Sequence, residues 1–354
     1  MNSLLSFYKN KKIFLTGHTG FKGAWLCRIL IAAGADVTGY SSGIPTEPSL
    51  FALTKTAEQM NCITADIRNG KKLAESIVAA KPDIVFHLAA QPLVRVSYKD
   101  PVETYETNVM GTVHLLEAVR NSGTVKSVVN VTTDKVYKNR EWNWGYRENE
   151  ELCGFDPYSN SKSCSELVTH SYKQSFFSDN RDLAVSTARS GNVIGGGDYA
   201  LDRIIPDCIR AVESGKDIVI RNPYSTRPYQ HVLECLSGYL LLARLQYEDK
   251  SSYEGSYNFG PDDSSCVTTG ELADMFCRTW GSGAVWKNVA ESNAPHEANF
   301  LKLDCSSAKN VLGWKPLWDI RTAIKKIVEW EQAVQNGVSS AAVTDNQIKE
   351  YFEI

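Results

Sequence analysis

Apolar and polar positions alternate in blocks along the first half of the chain. Short apolar runs predict strands at 12–16, 36–40, 59–65, 84–90, 127–132 and 184–190. Segments of helical character between them predict helices at 23–33, 70–80, 102–122 and 158–177. Strands and helices in strict alternation argue for an α/β fold: a parallel sheet with helices on both faces. After about residue 191 the pattern loosens. Gly195-Gly196-Gly197-Asp198 forms a turn cluster, 204–214 reads helical and 218–220 reads as a short strand. Further helices are predicted at 231–246, 268–280, 305–312 and 319–336. The expected division is 1–190 for the regular domain and 191–354 mainly for a smaller α/β lobe, with the chain crossing between them more than once. From Asn336 onward, the small residues Gly337, Ser339, Ser340, Ala341 and Ala342 predict a loosely packed tail.

Composition narrows the classes. A chain of 354 residues can bury a large core. Its net charge of −3 gives no reason to expect nucleic acid or an anionic membrane as partner. No apolar run is long enough to span a bilayer, and Met1 to Phe7 lacks the charge and length of a signal peptide, so a cytoplasmic protein is expected. Nine cysteines, odd in number and without a Cys-x-x-Cys pair, read as reduced thiols. Six scattered histidines show no ligand spacing, and no metal is expected.

Two segments carry chemistry. Lys12 to Thr16 runs into Gly17-His18-Thr19-Gly20-Phe21-Lys22-Gly23, and a helix follows. Glycines at 17, 20 and 23 permit a tight turn, close approach of backbone to a pyrophosphate, and close helix packing. The helix N-terminus then offers N–H groups to phosphates. Further on, Tyr158 and Lys162 are one helical turn apart, so the ammonium favours the phenolate and is expected to lower the tyrosine pKa. Thr133, at the end of a predicted strand, is placed to share a substrate oxygen with Tyr158. Asp134 and Lys135 beside it add an acid and a base that simple alcohol oxidation does not need.

Together these residues resemble the extended short-chain dehydrogenase/reductase family of sugar-nucleotide enzymes, over nearly the whole chain. The likeness includes Ala65-Asp66-Ile67-Arg68, His87-Leu88-Ala89-Ala90-Gln91 and Asn108-Val109-Met110-Gly111-Thr112. Within the family, Thr133-Asp134-Lys135-Val136-Tyr137, Ser190-Gly191-Asn192-Val193-Ile194-Gly195-Gly196-Gly197-Asp198, Ser225-Thr226-Arg227-Pro228-Tyr229-Gln230-His231-Val232 and the stretch Pro45 to Phe51 are similar to the 4,6-dehydratases, with CDP-glucose as the implied substrate. The resemblance implies a Rossmann-type doubly wound sheet holding NAD and a C-terminal lobe gripping the nucleotide diphosphate. It implies cofactor contacts from Gly17, Gly20, Phe21, Gly23, Tyr40, Asp66, Ile67, Leu88, Ala89, Ala90, Gln91, Tyr158 and Lys162. Asp66 and Ile67 fall to the adenine, and Ala89 to Gln91 to the ribose and nicotinamide side. Thr133, Asp134, Lys135, Tyr158 and Lys162 become the catalytic set, and Asn192, Arg203, Arg227 and His231 the substrate contacts. A homodimer or homotetramer, and a role in making dideoxyhexoses of lipopolysaccharide O-antigen, are further family expectations.

Two positions depart from the pattern. The second strand, Asp36 to Ser41, lacks the terminal acid that commonly holds the cofactor ribose, so NAD rests on the resemblance; no Arg or Lys follows Tyr40 to favour a 2′-phosphate. In the related dTDP-glucose dehydratases a glutamate follows the motif aspartate, where this chain has Lys135. That lysine either removes the C5 proton, if burial lowers its pKa, or polarises a 4-keto group. Each residue also has an ordinary alternative. Asp134 could cap a turn, Lys135 and Arg227 could be solvated, and His231 could merely pack. His18 reads as a loop-shaping residue; Trp142, Trp144 and Tyr146 either cover a sugar or pack a loop. A 4-epimerase would share Thr133, Tyr158 and Lys162 without needing Asp134-Lys135, and a dinucleotide sensor would need none of them together.

Overall fold

A computed structural model describes residues 3–179, 182–289 and 300–354. Seven parallel strands form the central sheet: β1 (Lys12–Thr16), β2 (Asp36–Ser41), β3 (Asn61–Thr64), β4 (Ile84–His87), β5 (Ser127–Val131), β6 (Ala184–Arg189) and β7 (Ser256–Asn258). Their spatial order is β3-β2-β1-β4-β5-β6-β7, so the chain reverses direction across the sheet between β1 and β4. Successive side chains of a strand point to opposite faces. Ile13 and Leu15 feed one core and Phe14 the other; Ile84 and Phe86 oppose Val85 in the same way. That is why the strands read as continuous apolar runs rather than as alternating ones.

One face is covered by α1 (Phe21–Ala32), and by helices from much later in the chain. The other is covered by α2 (Gly70–Ala80) and α3 (Gly111–Arg120), through Leu73, Ile77, Leu115, Leu116 and Val119. The helix expected at 102–122 is one rod whose ladder widens to a π-turn at Glu106–Met110. α4 (Pro157–Tyr172) starts sharply, because Asp156 accepts from the Ser159 N–H at 2.9 Å and proline occupies its first turn.

The smaller lobe contains α5 (Ile204–Glu213), α7 (Thr269–Trp280) and α8 (Ile320–Gln335), packed around Ile205, Ile209, Leu272, Phe276, Ile324 and Ile327. Between α5 and α7 the chain returns to the sheet. α6 (Val232–Glu248) lies on β5 and β7 joins β6 in register, Ser256 opposite Thr187. A single cut at residue 190 would therefore separate an edge strand from its sheet.

The tail is not loose. Residues 340–352 form α9 (Ser340–Phe352), which docks on α1 with Ile348, Tyr351 and Phe352 buried. Arg28 of α1 meets Asp345 at 2.5 Å, and the Trp330 indole N–H donates to Thr344 at 3.0 Å. The small residues around 337–342 obscured an apolar stripe at 348, 351 and 352, whose spacing is helical.

Candidate active site

A cleft of about 1110 Å³ opens at the C-terminal ends of the strands, between the sheet and the smaller lobe. This is where an open parallel sheet presents its loop ends, at the point of strand-order reversal. One side is the glycine loop after β1. Gly17 has φ +73°, and a Cβ there would lie 2.7 Å from the Ala89 nitrogen. A Cβ on Gly23 would collide with the Gly17 carbonyl. α1 begins at Gly20 with no side-chain cap, so its first N–H groups face the cleft unclaimed by a side chain. A cradle that any side chain would fill, ending in free helix N–H groups, fits a dinucleotide pyrophosphate.

Phe21, Tyr40, Asp66, Ile67, Leu88, Ala89, Ala90 and Gln91 all line the same cleft. The Tyr40 hydroxyl donates to the Asp66 carbonyl at 3.0 Å, tying the end of β2 to the loop after β3. Gln91 is held by Asn108, which accepts from its N–H at 2.8 Å. Where a terminal acid is missing, hydroxyls stand instead. Thr19 donates to Ser41 at 3.1 Å and to the Gly43 carbonyl at 2.6 Å. Neither Thr19 nor Ser41 stood out in the sequence, since isolated hydroxyls carry no pattern. His18 turns away from the cleft, packing its ring edge-on to Phe51 and against Gly39.

Thr133, Asp134, Lys135, Tyr158 and Lys162 converge on the floor. Thr133 lies two residues past β5 in extended conformation, and its hydroxyl donates to Asp134 Oδ1 at 3.0 Å. Asn192, at φ +49°, donates to Asp134 Oδ2 at 3.2 Å. A side chain at Gly191 would run into the Asp134 carboxylate, so that glycine makes its room. Lys135 is half-buried beside it. Lys162 is buried and donates to the Val131 carbonyl at 3.1 Å, fixing the strand end that carries Thr133.

The expected lowering of the tyrosine pKa is not found. Burial pushes the Tyr158 phenol up to about 12, against the pull of its hydrogen bond with Thr133. Burial also draws Lys162 down to about 8, with repulsion from Lys22 adding to it. For the tyrosine, desolvation is the largest influence and it wins.

The floor is braced from below by an ion pair the sequence did not suggest. Arg189 of β6 grips Glu166 of α4 at 2.9 and 2.8 Å, both side chains buried. Thr132 donates to the same carboxylate at 2.5 Å and Thr187 at 2.7 Å. Burial would raise the Glu166 carboxyl, but the Arg189 charge and these hydrogen bonds hold it below the usual value. The partners are distant in sequence, and a glutamate on a polar helix gives no warning of burial.

Of the expected substrate contacts, Asn192, Arg203 and Arg227 line the cleft. Arg203 pairs with Asp198 at 2.9 Å, and buried Arg227 donates to the Thr226 carbonyl at 3.1 Å. His231 does not join them. It is fully buried, its Nδ1 accepts from the Leu233 N–H at the start of α6, and its ring lies between Trp25 and Trp318. Burial lowers its pKa to about 3, leaving a neutral core imidazole. Trp142, Trp144 and Tyr146 stack among themselves outside the cleft lining, so they pack a loop. Among the described residues no His, Cys, Asp and Glu cluster suits a metal, and no helix is long and apolar enough to cross a membrane.

A Rossmann-type sheet with a glycine cradle and a Thr/Tyr/Lys floor defines a dinucleotide-using enzyme class. The chain belongs to the family described as GDP-mannose 4,6 dehydratase, whose pattern matches residues 14–327. It is 49% identical over 351 residues to the CDP-glucose 4,6-dehydratase of Salmonella typhimurium, covering 98% of each chain. In fold it is similar to the UDP-glucose 4-epimerase of Thermotoga maritima, with TM-score 0.79, 20% identity and coverage of 91% of this chain and 99% of the other. It is also similar to a dTDP-glucose 4,6-dehydratase of Bacillus anthracis solved in complex with NAD, with TM-score 0.77, 20% identity and coverage of 92% of this chain and 98% of the other.

Proposed function

We propose that this protein is an NAD-dependent 4,6-dehydratase that converts CDP-glucose to CDP-4-keto-6-deoxyglucose. The observation that carries the reading is the placement of Asp134 and Lys135 next to the Thr133, Tyr158 and Lys162 set, in one cleft with the glycine cradle. An epimerase has no water to eliminate and no use for that added pair.

NAD, when bound, supplies the hydride acceptor for C4 and the hydride donor for C6. Thr133 and Tyr158 hold the 4-hydroxyl, and Tyr158 takes its proton as C4 becomes a ketone. Lys162 lowers the cost of the phenolate while it remains charged, which a value near 8 permits at neutral pH. The ketone acidifies the C5 hydrogen, and Lys135 is assigned to that proton. Asp134, oriented by Thr133 and Asn192, protonates the departing 6-hydroxyl so that water leaves. Asn192, Arg203 and Arg227 hold the diphosphate; a guanidinium fork matches its paired oxygens.

The product suits a later route to 3,6-dideoxyhexoses of lipopolysaccharide O-antigen, made in the cytoplasm. We also assign a homo-oligomer paired through the exposed apolar residues Val102, Met110 and Leu167 on neighbouring helices. Incubation with CDP-glucose, dTDP-glucose and UDP-glucose, each with NAD, tests the reading by product mass and NMR. Loss of one water from CDP-glucose alone is expected. Unchanged mass with inversion at C4 would make it an epimerase, and NAD binding without turnover a sensor.

A further inference from the structure

The reaction sets a demand that the catalytic floor does not meet by itself. Hydride leaves C4 for the cofactor and must return to C6 of the same sugar. A sugar that escapes between the two transfers leaves its electron pair on the cofactor and halts the cycle. Three charges at the mouth of the cleft bear on this. Arg95 belongs to a short helix, Val94–Lys99, that packs on α4 beside the sheet. Asp202 lies in the turn before α5, and Arg221 directly follows the strand Ile218–Ile220, both in the smaller lobe. All three line the cleft, and the side chains of Arg95, Asp202 and Arg221 are 41%, 46% and 36% exposed, which places them at its rim and not on its floor. The Arg221 guanidinium donates to Asp202 at 2.9 Å, and Arg95 stands 3.8 Å from the same carboxylate oxygen. Asp202 has φ +58°, a turn geometry that aspartate tolerates better than most residues, and the next residue is Arg203. The hydrogen bond from Arg221, with the Arg95 and Lys99 charges, holds the Asp202 carboxyl below its usual range and so charged at neutral pH.

This ion pair from the sheet side to the smaller lobe crosses the opening through which a sugar nucleotide enters and leaves. Because it is exposed it is weak and screened by salt, so it can part for substrate and form again at each turnover. We propose that Arg95, Asp202 and Arg221 form a strap that keeps the oxidised sugar in the cleft until hydride returns to it. They are positioning residues, acting on retention and not on bond breaking. When the strap fails, the electron pair of the C4–H bond stays on NADH, the 4-hydroxyl proton has passed to Tyr158, and a 4-keto sugar nucleotide leaves. No other reactant is needed.

The inference rests on the dehydratase reading above, and the fate of the cofactor separates the two. The protein with NAD is given CDP-glucose, and the NADH absorbance left on the protein is compared with the product formed, with mass spectrometry of the released sugar. Asp202→Asn and Arg95→Met are expected to strand NADH about fivefold more often per product than the wild type, the scale of two exposed ion pairs, and to release an oxidised sugar that never regained hydride. Arg95→Lys, which keeps the charge, returns the ratio toward that of the wild type. Raising salt from about 0.05 M to about 0.5 M should increase stranding in the wild type more than in Asp202→Asn, whose strap is already lost. Variants that raise KM but strand no more NADH than the wild type would show a role in binding or folding alone and overturn the proposal. An unchanged ratio in the wild type across the salt range overturns it too, even if the variants do not fold. A wild type that forms neither product nor NADH strikes the dehydratase reading itself, and this inference with it.

Discussion

The wall of the cleft that rises from the sheet is built mostly from main chain, while the wall from the smaller lobe is built from side chains. On the sheet side, Gly17, Gly23 and the uncapped start of α1 act through the absence of side chains and through exposed N–H groups. On the other side, Asn192, Arg203 and Arg227 reach in from short irregular segments and are each held by a neighbour. Main-chain features tolerate no substitution but serve any dinucleotide. Side-chain features can be exchanged one at a time, which suits the wall that must recognise a particular sugar nucleotide. On the proposed reading, cofactor use and substrate choice are carried by different kinds of structure.

Four experiments break or sharpen that contrast. Tyr158→Phe removes the proposed proton acceptor on the shared floor, and kcat is expected to fall about 10³-fold with NAD affinity nearly unchanged. Gly23→Ala places a methyl against the Gly17 carbonyl; calorimetry should show NAD binding weakened by roughly 30- to 150-fold, as an overpacking cost of about 2–3 kcal/mol requires. Arg227→Met, on the opposite wall, should raise KM for CDP-glucose roughly 10- to 30-fold, the worth of a charge-assisted hydrogen bond, without changing NAD affinity. If instead it weakened NAD, the two walls would not be separable.

The smallest effect concerns the link between the walls. Glu331 of α8 accepts from the Gly197 N–H at 3.2 Å, and burial raises its carboxyl to about 7, with Glu213 and Asp198 adding repulsion. The folded state binds this proton more tightly than the unfolded chain does. The stability it contributes is full below the ordinary value of 4.5 and is lost as pH rises through about 7. Glu331→Gln should therefore stabilise the protein by of order 1–2 kcal/mol at pH 8 and give no gain at pH 5, read by denaturant unfolding.

The same division explains what the sequence made legible. The glycine loop, the strand runs and the Tyr158/Lys162 spacing are local patterns, each complete within a few residues, and they led directly to the sheet and the cleft floor. β7 was not legible, because three residues with one apolar side chain, Tyr257, signal nothing until β6 is there to pair with them. The brace of Glu166 and Arg189 was hidden for the same reason. His231 was drawn into the substrate set by the company of Arg227, although one turn of chain separates the cleft from the core. The tyrosine pKa went astray because charge can be counted from sequence, whereas desolvation cannot.

The return of the chain to its sheet also bears on how the protein is made. A ribosome delivers β6 well before β7, and α9 still later, so the nascent chain holds a nearly finished sheet with a bare edge and an uncovered α1. An exposed edge strand invites pairing with other chains. A fragment ending at residue 190 would keep the glycine cradle yet leave the β6 edge open. Such a piece is expected to aggregate rather than serve as a minimal cofactor-binding domain. Coexpression with the remainder of the chain, which brings β7 and α9, is the way to recover it.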